Sequence, residues 1–165
     1  MSRLSGKNKK AFADFVKKLE TLGADIQQAE INVVNKATET AKGETVESTP
    51  TGDYPTKVSF VAYQGTEKEK IVEFHVAKKL GGTLKGRWTD IPLIILNGKI
   101  SKGYYNNLHY APYVNNGHRV VNKKGETVNY LPGKRMLERG ITRGRLAMRP
   151  LMDEEIRQIK RKTGF

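Results

Sequence analysis

At 165 residues and 18.6 kDa the chain is the size of one domain, with a folded surface of about 8,000 Å² and roughly 70% of its unfolded surface buried. It contains no cysteine, which excludes a disulfide framework and thiolate metal ligands and fits synthesis in a reducing cytoplasm. Thirty Lys and Arg against seventeen Asp and Glu give a formal charge of +13, a field that attracts nucleic acid, acidic protein surfaces or anionic lipid without choosing among them.

A long amphipathic helix is expected first, from about Lys9 to Lys42. Phe12, Phe15, Leu19, Leu22, Ile26, Ala29, Val33, Ala37 and Ala41 are spaced by three or four residues and trace one helical stripe. Gly23 costs about 1 kcal/mol relative to Ala but leaves the phase of the stripe intact, so one element is preferred to two. The N-terminal Met1–Lys7 is basic and is followed by no apolar stretch of the kind a secretory signal carries.

Glu47 to Pro55, with two prolines and Thr51-Gly52-Asp53, spells a loop. Lys57–Tyr63 and Ile71–Val76 are rich in β-branched and aromatic residues around a short Gly-containing connection, which predicts a hairpin and an arm over 56–77. Ala77–Trp88 is a basic, Gly-rich connector. Asp90–Leu96 and Lys99–Tyr105 flank Asn97-Gly98, the dipeptide that best tolerates a type I′ turn, so a second hairpin follows. The longest apolar run, Ile91–Leu96, is far short of the roughly 20 residues of a spanning helix, and no membrane role is expected.

From Asn106 to Gly133 the chain is turn-rich and aromatic. A last, short helix is expected from Pro150, where a missing N–H costs nothing; Asp153, Glu154 and Glu155 follow in its first turn and Arg157, Lys160, Arg161 and Lys162 crowd its end. Together these elements make an α+β domain over 1–165: a long N-terminal helix packed on an antiparallel sheet of hairpins, closed by a short C-terminal helix.

Catalytic patterns are weak. His75, His109 and His118 do not have zinc-ligand spacing, and between Leu96 and Arg135 the only acid is Glu126, too little to hold a catalytic cation. His118, with Asn116 and Asn122 nearby, would serve as a base only in a metal-free ribonuclease assembled by the fold. Gly81–Trp88 is glycine-rich and basic but lacks the Gly-Lys-Ser/Thr ending of a nucleotide-binding loop. The expectation is a protein that is not an enzyme and takes no metal or cofactor.

The most specific string is Tyr110-Ala111-Pro112-Tyr113-Val114-Asn115-Asn116-Gly117-His118-Arg119. With Thr49-Pro50-Thr51-Gly52-Asp53 before it and Gly82-Thr83-Leu84-Lys85-Gly86-Arg87-Trp88 between, it resembles the neck, or head–tail joining, family of tailed bacteriophages, also described as tail-completion or minor tail components. The resemblance runs over most of the chain and implies a structural subunit of a virion, made in the host bacterial cytoplasm. It implies a homo-oligomeric ring between head connector and tail-tube or tail-terminator proteins, with double-stranded DNA passing through. Two departures stand out: Asn115 replaces the family's usual Glu, and about thirty residues separate elements that the family keeps close. The family's closing element matches either Arg135-Met136-Leu137 or Met148-Arg149-Pro150-Leu151.

Tyr and Arg are enriched at interface hot spots, which makes Tyr110, Tyr113 and Arg119, with Trp88 and Leu84, the candidate oligomer or partner contacts. Equally, the tyrosines could close the sheet against the long helix. Arg143, Arg145, Arg149, Lys160 and Arg161 are the candidate contacts to nucleic acid or an acidic partner. The competing reading is a basic nucleic-acid-binding protein or small nuclease.

Overall fold

A computed structural model describes residues 6–52, 57–63, 65–75 and 81–164. It is an α+β arrangement of a long N-terminal helix, antiparallel hairpins and a shorter C-terminal helix. The elements run α1 (Gly6–Ser48), β1 (Lys57–Ala62), β2 (Lys70–His75), a 3₁₀ turn (Lys85–Arg87), β3 (Trp88–Leu96), β4 (Lys99–Asn106), α2 (Ala111–Asn116), β5 (Gly117–Val121), β6 (Thr127–Pro132) and α3 (Met136–Thr163).

Helix α1 is longer than the apolar stripe alone predicts, because polar residues extend its buried edge. Ala29, Val33, Ala37, Ala41, Thr45 and Thr49 are all buried, four residues apart. The two threonines join the row because each hydroxyl donates to the carbonyl four residues back, Thr45 to Ala41 at 2.9 Å and Thr49 to Thr45 at 2.6 Å. A buried hydroxyl that is satisfied locally costs little, so Thr substitutes for Ala here.

Helix α3 runs antiparallel to α1, as Lys162–Asp25, Glu155–Asn32/Lys36 and Gly144–Ala41 contacts at successive levels show. Its N-terminus corrects the expectation of a start at Pro150: it begins at Met136, and Pro150 lies inside it. Gly140, Gly144 and Pro150 read as breakers in isolation. Gly140 and Gly144 instead let the helix axes approach, since a Cβ at Gly140 would collide with Thr45 Oγ1 and the Ala41 carbonyl, and one at Gly144 would sit 2.8 Å from Ala41 Cβ. Pro150 is exposed, so the Leu146 carbonyl it leaves without a helical donor is on the outward side.

Among the described residues the strands form three separate two-stranded sheets rather than one sheet. β1 pairs with β2 from Lys57↔His75 to Ala62↔Lys70. β3 and β4 pair from Trp88↔Asn106 to Leu96↔Lys99, and positive φ at Asn97 (51°) and Gly98 (72°) gives the expected primed turn. The register shifts between Ile91 and Ile94, where Pro92 has no N–H for the ladder. β5 and β6 form a third hairpin inside the stretch read as irregular; Asn122 Oδ1 organises its turn by accepting the N–H groups of Lys124 (2.9 Å) and Glu126 (3.0 Å). Asp53–Pro55 of the expected loop, Val76, the arm limits 56 and 77, and 77–80 of the connector lie outside the described residues. On either side of the arm, the backbones of Gly52 and Gly81 approach so closely that a Cβ on Gly81 would overlap the Gly52 carbonyl. The excursion therefore leaves and re-enters at one point.

The core is small: Leu84, Trp88, Ala111 and Met136, flanked by Val46, Tyr104, Leu108, Tyr110, Val114 and Leu137. The accessible surface is 13,297 Å², well above the ~8,000 Å² of a compact monomer of this mass, so about half rather than roughly 70% of the extended chain's surface is covered. Hairpins that do not stack and a long helix covered along part of its length leave large apolar side chains in water.

Candidate functional site

The string Tyr110–Arg119 folds as a clasp on the start of α3. Pro112 sits in the first turn of α2, and Gly117 ends the helix at φ 83°, donating its N–H to the Tyr113 carbonyl before the chain turns into β5. Asn115, at the end of α2, is buried and uses both ends of its amide. Its Oδ1 accepts the N–H of Leu137 at 3.0 Å, and its Nδ2 donates to Glu138 Oε2 at 3.0 Å. The Asn115 and Val114 carbonyls accept from Arg135 (3.0 Å) and Lys134 (2.9 Å). Arg135, in a left-handed conformation at φ 54°, makes no side-chain cap of its own. Asn115 therefore caps α3 from another element, satisfying an orphan helix N–H. A Glu at this position would set a second carboxylate against Glu138 and offer it no donor. The Asn removes that repulsion and supplies the N–H. The segment the clasp holds is Lys134 to Glu138.

Two expected interface residues turn out to be core. Leu84 is 5% and Trp88 8% exposed, so neither offers surface to a partner. Trp88 Nε1 donates to Thr49 Oγ1 at 3.0 Å, and its ring meets Tyr104 edge-on at 5.9 Å. Tyr104 in turn shares a 2.8 Å hydrogen bond with Thr45. Burial of an indole whose N–H has a fixed acceptor makes Trp88 a structural pivot. Tyr110 is half-buried against the same core, its ring edge-on to His109 at 5.4 Å. Tyr113, 57% exposed, and Arg119 remain outward; Tyr113 stacks edge-on with His118 at 6.1 Å. His118 Nδ1 lies 3.4 Å from the Tyr113 carbonyl, and His75 is exposed on β2.

The cationic candidates share one element. Arg143, Arg145, Arg149, Lys160 and Arg161 are all exposed on α3, with Arg139 and Arg157 among them. At 100° per residue they occupy the half of the helix turned away from Met136, Gly140, Gly144 and Glu155. Acids interrupt them: Asp153 and Glu138 are exposed, and Glu154 pairs with Arg157 at 2.7 Å. On the inner face, buried Glu155 accepts from Asn32 Nδ2 at 3.0 Å and Lys36 Nζ at 2.9 Å. These bonds, Asn32's first, hold its carboxyl below the ordinary range against the opposing effect of burial.

Among the described residues no three His, Cys, Asp or Glu side chains gather where they could hold a metal ion, and no helix is long and apolar enough to cross a membrane. The upstream part of the helical stripe, with Phe12, Phe15, Leu19 and Ile26, is exposed. Missing from the sequence reading was Asn115's capping role, for which a polar residue two positions before Gly117 was the available signal. No family model, curated protein or solved structure matches the chain.

Proposed function

We propose that the chain is a structural subunit of a bacteriophage head–tail junction, forming a homo-oligomeric ring between the head connector and the tail-tube or tail-terminator protein of the virion, with DNA passing through it. One observation carries this reading. The three segments that resemble the neck family are far apart in sequence, yet they meet: Leu84, Trp88 and Ala111 share the core, and Thr49 accepts the Trp88 indole N–H. A shared plan requires that these strings build one core, and they do. The large apolar surface left in water, with Tyr113 and Arg119 outward, supports a chain completed by other protein. In this role α3 sits held by the clasp, and the 53–80 excursion, pinched at its root, is an arm added to the shared plan.

The direct test is complementation. Phage particles made without the chain should accumulate as DNA-filled heads and separate tails, and purified protein should restore joined, infectious particles. Normal joining in its absence would overturn the proposal.

The exposed arginines of α3 favour a second reading, a basic nucleic-acid-binding protein or small nuclease. Its sign would be a monomer that binds short duplex DNA tightly at low salt and loses most of that affinity by physiological salt.

A further inference from the structure

The apolar row on α1 changes period along the helix. From Phe12 through Phe15, Leu19, Leu22, Ile26, Ala29 and Val33 the steps alternate three and four; from Val33 to Thr49 every step is four. Helix α3 covers the four-step portion, with Ala37 and Ala41 against Gly144 and Gly140, and reaches on as far as the level of Asp25. Helix α3 ends at Thr163, beside Asp25, where Lys162 pairs with Asp25 at 2.7 Å. Upstream of that level roughly 25 Å of α1 runs on without α3. On it Phe12 is 67% exposed, Phe15, Val16 and Leu19 are exposed as well, and Ile26, at the level where α3 ends, is exposed too.

We infer that this projecting stripe, residues 12–26, docks into the groove between α1, α3 and β4 of a second copy of the chain, making a head-to-tail contact that propagates a ring. The inference rests on the self-assembly proposed above. The groove, about 470 Å³ and open, is lined by Val34, Ile100, Leu137, Ile141 and Met148, with Arg145 beside them. Ile141 and Met148 are themselves exposed.

The edges of the stripe choose a second copy's groove over stripe-to-stripe pairing, and its area sets how strong the contact is. A two-stranded coiled coil wants a narrow seam flanked by charged positions that set register. Here the flanking positions are Ala11, Val16 and Gly23, with Lys18 the only charge beside the exposed seam before Asp25. The stripe is broad and smooth-edged, the form of a helix that enters a groove. At roughly 200 Å² per large side chain, the exposed fractions of Phe12, Phe15, Val16, Leu19 and Ile26 leave roughly 500 Å² of apolar stripe. Seated in a groove that gives up a similar area, one contact buries about 1,000–1,200 Å², the lower limit for a specific interface. A single contact is then weak, and ring closure, which gives every subunit two, stabilises the assembly. Copies carrying +13 each repel, so this apolar contact strengthens as salt screens them, the reverse of phosphate binding.

The test uses the full chain in sedimentation velocity. Phe15→Glu with Leu19→Glu removes the stripe, and Ile141→Glu with Met148→Glu removes the groove; all four positions are exposed, and helical circular dichroism checks the fold. Wild type should assemble with rising concentration and salt. Each double variant alone should stay monomeric, its association weakened at least about a hundredfold by burying unpaired charge. Mixed together they should form a one-to-one dimer, because one intact stripe meets one intact groove. The chain has no cysteine, so Leu19→Cys mixed with Ile141→Cys should give a disulfide-linked heterodimer. Dimerisation of the groove variant alone would mean that stripes pair with each other and would overturn the inference, as would a wild type that assembles while the cysteine pair gives no heterodimer and the mixture stays monomeric at the highest concentration reached; the ring proposal survives either result. Wild type that remains monomeric at every concentration and salt overturns both.

Discussion

Replacing Gly140 with Ala should destabilise this protein, although the same change in an ordinary helix interior stabilises it by about 1 kcal/mol. The new methyl group would point into α1, onto Thr45 Oγ1, the Ala41 carbonyl and, 2.7 Å away, the Tyr104 hydroxyl. The carbonyl belongs to a helix and cannot swing aside. Moving the hydroxyls breaks the 2.8 Å Thr45–Tyr104 bond, at a cost of about 1 kcal/mol, and overpacking adds about 1–3 kcal/mol. After the gain in helix propensity, the net loss is about 2 kcal/mol, or a fall of about 4–8 °C in Tm for a chain of this length. Gly43→Ala is the matched control. Gly43 also lies within α1, but a Cβ there meets nothing within 4 Å, so the change should raise stability by about 0.5–1 kcal/mol. Urea unfolding at one fixed protein concentration, followed by fluorescence of the single tryptophan in the core, reads both. If Gly140→Ala is as stable as wild type, the close approach of α1 and α3 at this level is wrong.

Asn115→Ala removes the acceptor for the Leu137 N–H and the donor to Glu138, both made by a buried side chain, and should cost about 1–3 kcal/mol in the same urea assay; Asn115→Asp, which keeps the acceptor but faces Glu138, should recover little of it at neutral pH. Glu155 supplies a pH signature. Because its folded pKa is depressed, its stabilisation is fully present above the unfolded value, near 4.3, and is lost as pH falls through the lower folded value. The stability gap between wild type and Glu155→Gln, measured from pH 7 to pH 3, should therefore hold above about pH 5 and narrow below about pH 4; a gap independent of pH would show that the Asn32 and Lys36 contacts do not favour the ionised carboxylate.

Much of the architecture was legible because it is local. The three-and-four spacing from Phe12 to Ala41 defines a helix whatever surrounds it, and Asn97-Gly98 sets its turn through backbone sterics alone. Runs such as Lys57–Ala62 declare strands by residue type. The start of α3 was not legible, since Gly140, Gly144 and Pro150 disfavour helix by themselves and are admitted by contact with α1 or by facing water. The third hairpin was missed for a related reason. Its strand β6 is exposed throughout and shows no alternation, and its turn depends on the Asn122 side chain.

For the candidate site the division is sharper. Sequence alone determined the inventory: a surplus of cations, no cysteine, aromatic strings in a particular order, and one long amphipathic helix. Only the tertiary structure decided which of these face inward. It took Leu84 and Trp88 out of the surface by closing them against Met136, made Asn115 a cap for a helix twenty residues away, and left Phe12 to Ile26 uncovered. Hydrophobicity says that a side chain gains by leaving water; it does not say whether its cover comes from the same chain or from another, and that depends on where α3 stops.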